Sequence, residues 1–199
     1  MGPMKNCEYH IDENDQITYV NEDWIDFSRE NDAEHLSLHE VLGQSLWTNI
    51  DNRDTATIYQ VILNNVRKKN IEFAIPFRAD SPDKKRFMEL RISPLENHGV
   101  GFNSILLDEE PRSYVTLLDS NIKRKSSFII ICSWCKMVNA SREHWIDIEA
   151  AVKFLNLFNS EPYPKLSHRI CPGCQSRLRT EIINTRKVHT NQDDSLFVV

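Results

Sequence analysis

The sequence predicts an α+β fold: an antiparallel sheet with covering helices, followed by a small zinc-ribbon or knuckle module that contains a helix. Three observations predict it. Apolar and polar residues alternate in the order strand, strand, helices and then three strands over about the first hundred residues, the pattern of one sheet covered on one face. Four of the five cysteines fall into two C-x-x-C pairs, "CSWC" at 132–135 and "CPGC" at 171–174. The charge also divides: residues 1–112 hold 12 basic against 21 acidic side chains, and residues 113–199 hold 12 against 8, within a net charge of −5. The expected organisation is a first domain over 1–112, a linker over 113–127, a four-cysteine module over 128–180 and a tail over 181–199.

The elements follow in order. Tyr9 and Ile11 alternate with polar neighbours, "ENDQ" (13–16) supplies a turn, and Ile17, Tyr19 and Val20 form a second strand. "EDWIDFSREN" places Trp24, Phe27 and Ser28 on one helical face, with acidic residues at the positive end of the helix dipole. Gly43 divides two apolar patches and marks a turn. From Asp51 to Asn70, the spacing of Tyr59, Ile62, Leu63 and Val66 predicts a helix, ended by the basic run Arg67-Lys68-Lys69. Three strands follow, with apolar faces formed by Phe73, Ile75 and Phe77, by Met88, Leu90 and Ile92, and by Val100, Phe102 and Ser104. Pro76 lacks an N–H and is expected at a sheet edge or bulge.

Several of these segments resemble the PAS family of sensor domains over roughly residues 7–112. "DQITYVNEDWIDF" is similar to that family's opening strand, Asn and helix, and "VLGQSLW" to its step before the later helices. "FMELRISPLE" and "GVGFNSILLDE" are similar to its last two strands. The resemblance implies a sensing or dimerising role and an enclosed pocket. The candidate lining is Phe73, Ile75, Phe77, Met88, Leu90, Ile92 and Phe102, with Trp24, Phe27 and Trp47 from the helical side; apolar residues at these periods are more often plain core. The flavin photochemistry of light-sensing members needs a cysteine in an Asn-Cys-Arg-Phe-type motif, which is absent; Cys7 precedes the first strand. Haem would need an axial ligand, for which His10, His35 and His39 are candidates.

Cys132, Cys135, Cys171 and Cys174 are candidate metal ligands. A C-x-x-C turn holds two thiolates on one side of a tight loop, and two such turns facing each other close a tetrahedron. The 35 intervening residues exceed the usual ribbon gap, and an amphipathic helix with Asp147 as N-cap and Ile148, Ala151, Val152 and Leu155 on one stripe accounts for the excess. Gly173 is expected to allow a sharp second knuckle, and Trp134, Trp145, Phe154 and Phe158 to supply a small core. Structural zinc is the expected cofactor. A single iron is the rival, because "CPGC" is similar to rubredoxin knuckles. His168 could replace one thiolate or sit beside the ligands. Thioredoxin-like chemistry uses one reactive pair at a helix start, not two pairs, and Lys136 and Gln175 after the pairs exclude C-x-x-C-H haem attachment. "CSWCK…HW…E…SHRICPGC" also resembles a C-terminal cysteine module of bacterial signalling proteins, which implies association with signalling.

The sequence has no phosphate-cradling glycine loop, H-E-x-x-H or G-x-S-x-G. We therefore expect a non-catalytic signalling or sensor protein, cytoplasmic and homodimeric, that meets an unidentified partner and no membrane. "MGPMKNCEYH" lacks the apolar stretch of a signal peptide. The alternatives are a haem or iron redox sensor and a nucleic-acid-binding regulator. The second would use Lys123, Arg124, Lys125, Arg169, Arg177, Arg179, Arg186 and Lys187.

Overall fold

Alternation in the first part of the chain yields five strands, β1 (Asn6–Ile11), β2 (Ile17–Val20), β3 (Phe73–Arg78), β4 (Lys84–Pro94) and β5 (Val100–Pro111). They appear in a computed structural model that describes residues 6–30, 38–50, 53–142, 144–157 and 161–193. They form one antiparallel sheet in the order β2-β1-β5-β4-β3. Its register lines up apolar side chains across the sheet: Tyr9 faces Phe102, Phe102 faces Ile92 and Ile92 faces Phe73. The Tyr9 and Phe102 rings stack with centroids 4.5 Å apart. Such cross-strand pairs hold a register against slippage, since a one-residue shift would turn the whole row to water. Pro76 lies in β3, the edge strand, as its missing N–H requires.

Between β2 and β3 the chain forms α1 (Glu22–Glu30), α2 (Leu38–Val41), a 3-10 turn (Leu46–Asn49) and α3 (Arg53–Lys69). Asn21 caps α1: its Oδ1 accepts from the backbone N–H of Trp24 at 2.9 Å and of Glu8 at 3.1 Å, tying the helix to β1. Trp24 and Ile25 pack on the core, whereas Phe27, expected on the same stripe, is half-buried outside it. Gly43 has φ +82°, the left-handed turn that its position between the patches called for. Ile58, Ile62, Leu63 and Val66 of α3 bury against the sheet.

The second part folds as β6 (Arg124–Cys132), β7 (Val138–Ser141), β8 (His144–Ile146), α4 (Ile148–Phe154), β9 (Tyr163–Arg169) and α5 (Pro172–Asp193). The sheet order is β8-β7-β6-β9, and β6 runs parallel to β9. Parallel neighbours need a long crossover. The β7–β8 hairpin and α4 are that crossover, so the wide gap between the cysteine pairs holds two strands and a return strand besides the expected helix. Asp147 caps α4, accepting from the Glu149 N–H at 3.3 Å, and Ile148 and Ala151 are buried.

Three expectations need correction. The segment expected as a linker is built into the second unit: Val115 and Leu117 are buried in its core, and β6 starts at Arg124. The Arg124 guanidinium donates to the carbonyls of Pro164 at 2.9 Å, Leu117 at 3.0 Å and Asp119 at 2.7 Å. Val115, Leu117, Leu118 and Ile122 stand among polar residues with neither a helix nor a strand period to announce this. The boundary at 180 falls inside α5, whose Leu178 and Ile182, one turn apart, bury together. The expected aromatic core is formed only in part. Trp134 and Trp145 pack in the cluster that holds the cysteines, which is continuous with the first sheet's core, whereas Phe154 is 64% exposed. Phe158 lies outside the described residues.

A buried ion network joins the units. Asp80 is fully enclosed and binds Arg78, and Arg112, 4% exposed, donates to it at 3.0 Å. Arg112 and Lys85 reach Glu149 of α4 at 3.5 and 3.3 Å, and Arg78 lies 3.7 Å from Asp147. Burial lowers the Arg112 pKa, with Asp80 opposing the shift. Asp80→Asn leaves two guanidinium groups without their shared counter-charge, and urea denaturation should show a loss of about 3–5 kcal/mol. Glu149→Gln, at the part-exposed end, should cost less than about 1 kcal/mol.

Candidate metal centre and adjoining cavity

The first cysteine knuckle grows out of β6. Cys132 closes the strand, its N–H donating to the Met137 carbonyl at 2.7 Å, and the Lys136 N–H returns to the Cys132 carbonyl at 3.1 Å. Lys136 takes the turn's left-handed conformation with φ 61°. The second knuckle is the start of α5. Cys171 precedes it, Pro172 opens it where no N–H is needed, and Cys174 stands in its first turn. The Cys171 Sγ accepts from the Cys174 N–H at 3.4 Å, as a capping side chain does. Gly173 therefore has ordinary helical geometry rather than a sharp bend. A Cβ placed there would meet nothing nearer than the Cys171 sulfur, at 4.0 Å.

The structure brings the four cysteines together. Their sulfurs all lie within 4.8 Å of one another, and Cys135 and Cys171 are 3.7 Å apart. A tetrahedron with metal–sulfur bonds of about 2.3 Å has sulfur–sulfur edges of about 3.8 Å, so the arrangement fits a metal ion. All four are free thiols. Cys132, Cys171 and Cys174 are buried and Cys135 is partly open. Backbone and side-chain donors point at the sulfurs: Cys171 N–H reaches Cys132 Sγ, and an Arg177 guanidinium N–H reaches Cys174 Sγ, each at 3.4 Å. Hydrogen bonds from the Cys135 and Cys174 thiols, with a smaller contribution from backbone N–H groups, hold Cys132 far below the usual thiol range. The same bonds, with burial, push Cys135 up to about 11 and Cys174 higher still. Four thiols this close cannot all ionise alone, and a central cation is the chemistry that lets them.

His168 stands outside the cluster, on β9. Desolvation, then the Lys136 ammonium, lowers its pKa. His10 is engaged with Glu8 at 2.7 Å and lies against the Tyr19 ring, so it is a sheet-surface residue. His35 lies outside the described residues, and only the backbone of His39 is described. Cys7, expected ahead of the first strand, is instead within β1 and buried, 3.6 Å from the Asp23 carbonyl.

Beside the cysteine cluster lies an open cavity of about 850 Å³. One wall comes from the first unit, including Tyr9, Trp24, Leu46 and Tyr59. The other comes from β6, the first knuckle and β9, through Phe128, Ser133 and Leu166–Arg169. Of the residues expected to line a pocket, only Trp24 does so. Phe73, Ile75, Leu90, Ile92 and Phe102 are core, with Phe77 and Trp47 packed against them, and Met88 is buried. Trp47 is directed elsewhere, donating to Asp15 at 2.8 Å. The lining was missed because Leu166–Arg169 come from β9, which alternation alone did not announce, and because Tyr59 reads as one more apolar residue of the α3 stripe. The chain matches no protein-family model, and no curated protein matches it. Among the described residues, no helix is long and apolar enough to cross a membrane.

Two outcomes follow. Gly173→Ala should retain metal and leave stability unchanged or raised by up to about 0.5 kcal/mol, read by thermal denaturation with metal analysis. Burial pushes Tyr59 up to about 12 and raises Tyr9 well above its ordinary value. A phenol neutral in the folded state stabilises fully below pH about 10, where the unfolded chain's tyrosines ionise, and this contribution falls as pH rises towards 12. Native phenolate absorbance should thus develop late, and Tyr59→Phe should remove one phenolate from the late phase.

Proposed function

We propose that this chain is a non-catalytic sensor or signalling protein, in which a PAS-like unit is coupled to a structural zinc module that contacts a partner. The closed cluster of four cysteines carries this assignment. Four sulfur donors fill a tetrahedral ion and leave no open position for substrate, which is the coordination of structural rather than catalytic zinc. The same donor set accepts a single iron, and colour separates the two. The five-stranded antiparallel sheet with helices on one face supports the PAS-like reading, as do the quoted segments that resemble that family. Signals would act by shifting the packing between the units, which share one core. The nucleic-acid alternative loses two of its candidate cations, since Arg124 is spent on carbonyls and Arg177 on Cys174.

Native mass spectrometry of the untreated protein should show one zinc per chain. Structural zinc in small sites contributes roughly 10–16 kcal/mol of apparent binding energy, comparable with or above the net stability of a whole domain. Because Cys132, Cys171 and Cys174 belong to the core that also holds Phe102 and Ile62, chelation should weaken both units together. Near-ultraviolet dichroism should then lose the signals of Trp134 and Tyr59, whose rings are 6.1 Å apart. A metal-free protein with unchanged dichroism and unchanged partner binding would sink the assignment.

A further inference from the structure

The cavity has a chemical character of its own. Among the described residues its lining contains no aspartate, glutamate, asparagine or glutamine. The first unit contributes an apolar and aromatic wall, with Trp24, Leu46 and the rings of Tyr9 and Tyr59. The cationic side chain, Arg169, comes from the second unit with His168, Ser167 and Ser133, and the first unit adds one further polar residue, Thr55. The Arg169 guanidinium has no carboxylate partner among the described residues. An apolar wall facing an unpaired guanidinium suits a ligand with an apolar body and an anionic head. The volume, about 850 Å³, falls within the range of small-molecule sites. Phe128, also in the lining, is a large ring 64% exposed to water.

We infer that this cavity binds an amphipathic organic anion, its apolar body against Trp24, Tyr9 and Tyr59 and its carboxylate on Arg169. The inference rests on the sensor reading and names the class of ligand it senses. The ligand would touch both units, and its anchor is set by the metal knuckles. Ser133 lies between Cys132 and Cys135, and its N–H donates to the Arg169 carbonyl at 2.8 Å, two residues before Cys171. Occupancy therefore pins β9 and the first knuckle to the helices of the sensor unit, which couples ligand to metal module through contacts each makes directly.

The test is titration of the full, metal-loaded chain with dodecanoate, dodecanol and dodecyltrimethylammonium below their aggregation concentrations. Tryptophan fluorescence and calorimetry follow binding, and native mass spectrometry counts the metal in the same sample. Saturable binding of one dodecanoate, at least about tenfold tighter than the alcohol and tighter still than the cation, is expected from one charge-assisted contact. Arg169→Glu should weaken dodecanoate by about tenfold or more while the alcohol is little affected, and Arg169→Lys should retain the preference for the anion. Arg91→Ala, which removes an exposed cation paired with Glu89 on the first sheet, is the control for net charge. No saturable binding, equal affinity for acid and alcohol, or indifference to Arg169→Glu overturns the inference. Metal absent with anion binding intact instead overturns the zinc-module reading and leaves the cavity assignment standing.

Discussion

One strand serves two cores, and the rest of the second unit is arranged around it. Side chains alternate along β6, so Ile129 and Ile131 enter the core built with α4, while Cys132 enters the core of the five-stranded sheet. Phe128, two positions from Ile130 and four from Cys132, is on the cavity side. Only the end of β6 is covered on both faces: Ile131 and Cys132 are buried, one in each core, while Phe128 stays exposed at the cavity. The cysteine cluster then fixes the end of β6 to the start of α5.

The consequence is that the two units are not beads on a string. The knuckle residue Trp134 packs on Tyr59 and, edge-on, on Phe77, and its carbonyl accepts from the Arg78 N–H at 2.7 Å, beside the sheet's edge strand. Asp80 gathers the guanidinium groups that reach α4. An apolar seam, a backbone contact to β3 and a buried ion network thus act over the same interface. Loss of any one leaves polar or apolar groups uncompensated in the others, so the cysteine cluster and the five-stranded sheet should respond as a coupled pair.

Much of this was legible in the amino acids. Strict alternation in Phe73–Phe77, Met88–Ile92 and Val100–Phe102 announced three strands, since period two with one apolar face has few other solutions. Tyr59, Ile62, Leu63 and Val66 announced α3 just as directly, and Asp147 announced the cap of α4. The C-x-x-C spacing announced that each cysteine pair could present two sulfurs together. Short strands such as Val138–Ser141 and His144–Ile146 were illegible because three or four residues are too few to establish a period. Gly173 misled for a related reason: a glycine suggests a bend, but Pro172 and Cys171 had already made that position a helix start.

The sequence by itself determined the element types of the first unit, the four sulfur donors and the division of charge, because these depend on local periodicity, spacing and composition. Only the tertiary structure decided that the cysteine pairs meet, that Val115 and Leu117 are core, and that Arg169 lines one cavity with Trp24, Tyr9 and Tyr59. Each of those depends on the parallel pairing of β6 with β9, a contact between residues about forty positions apart. No local signal encodes such a pairing. It follows from the need to bury Ile131 and Cys132, on opposite faces of β6, at once.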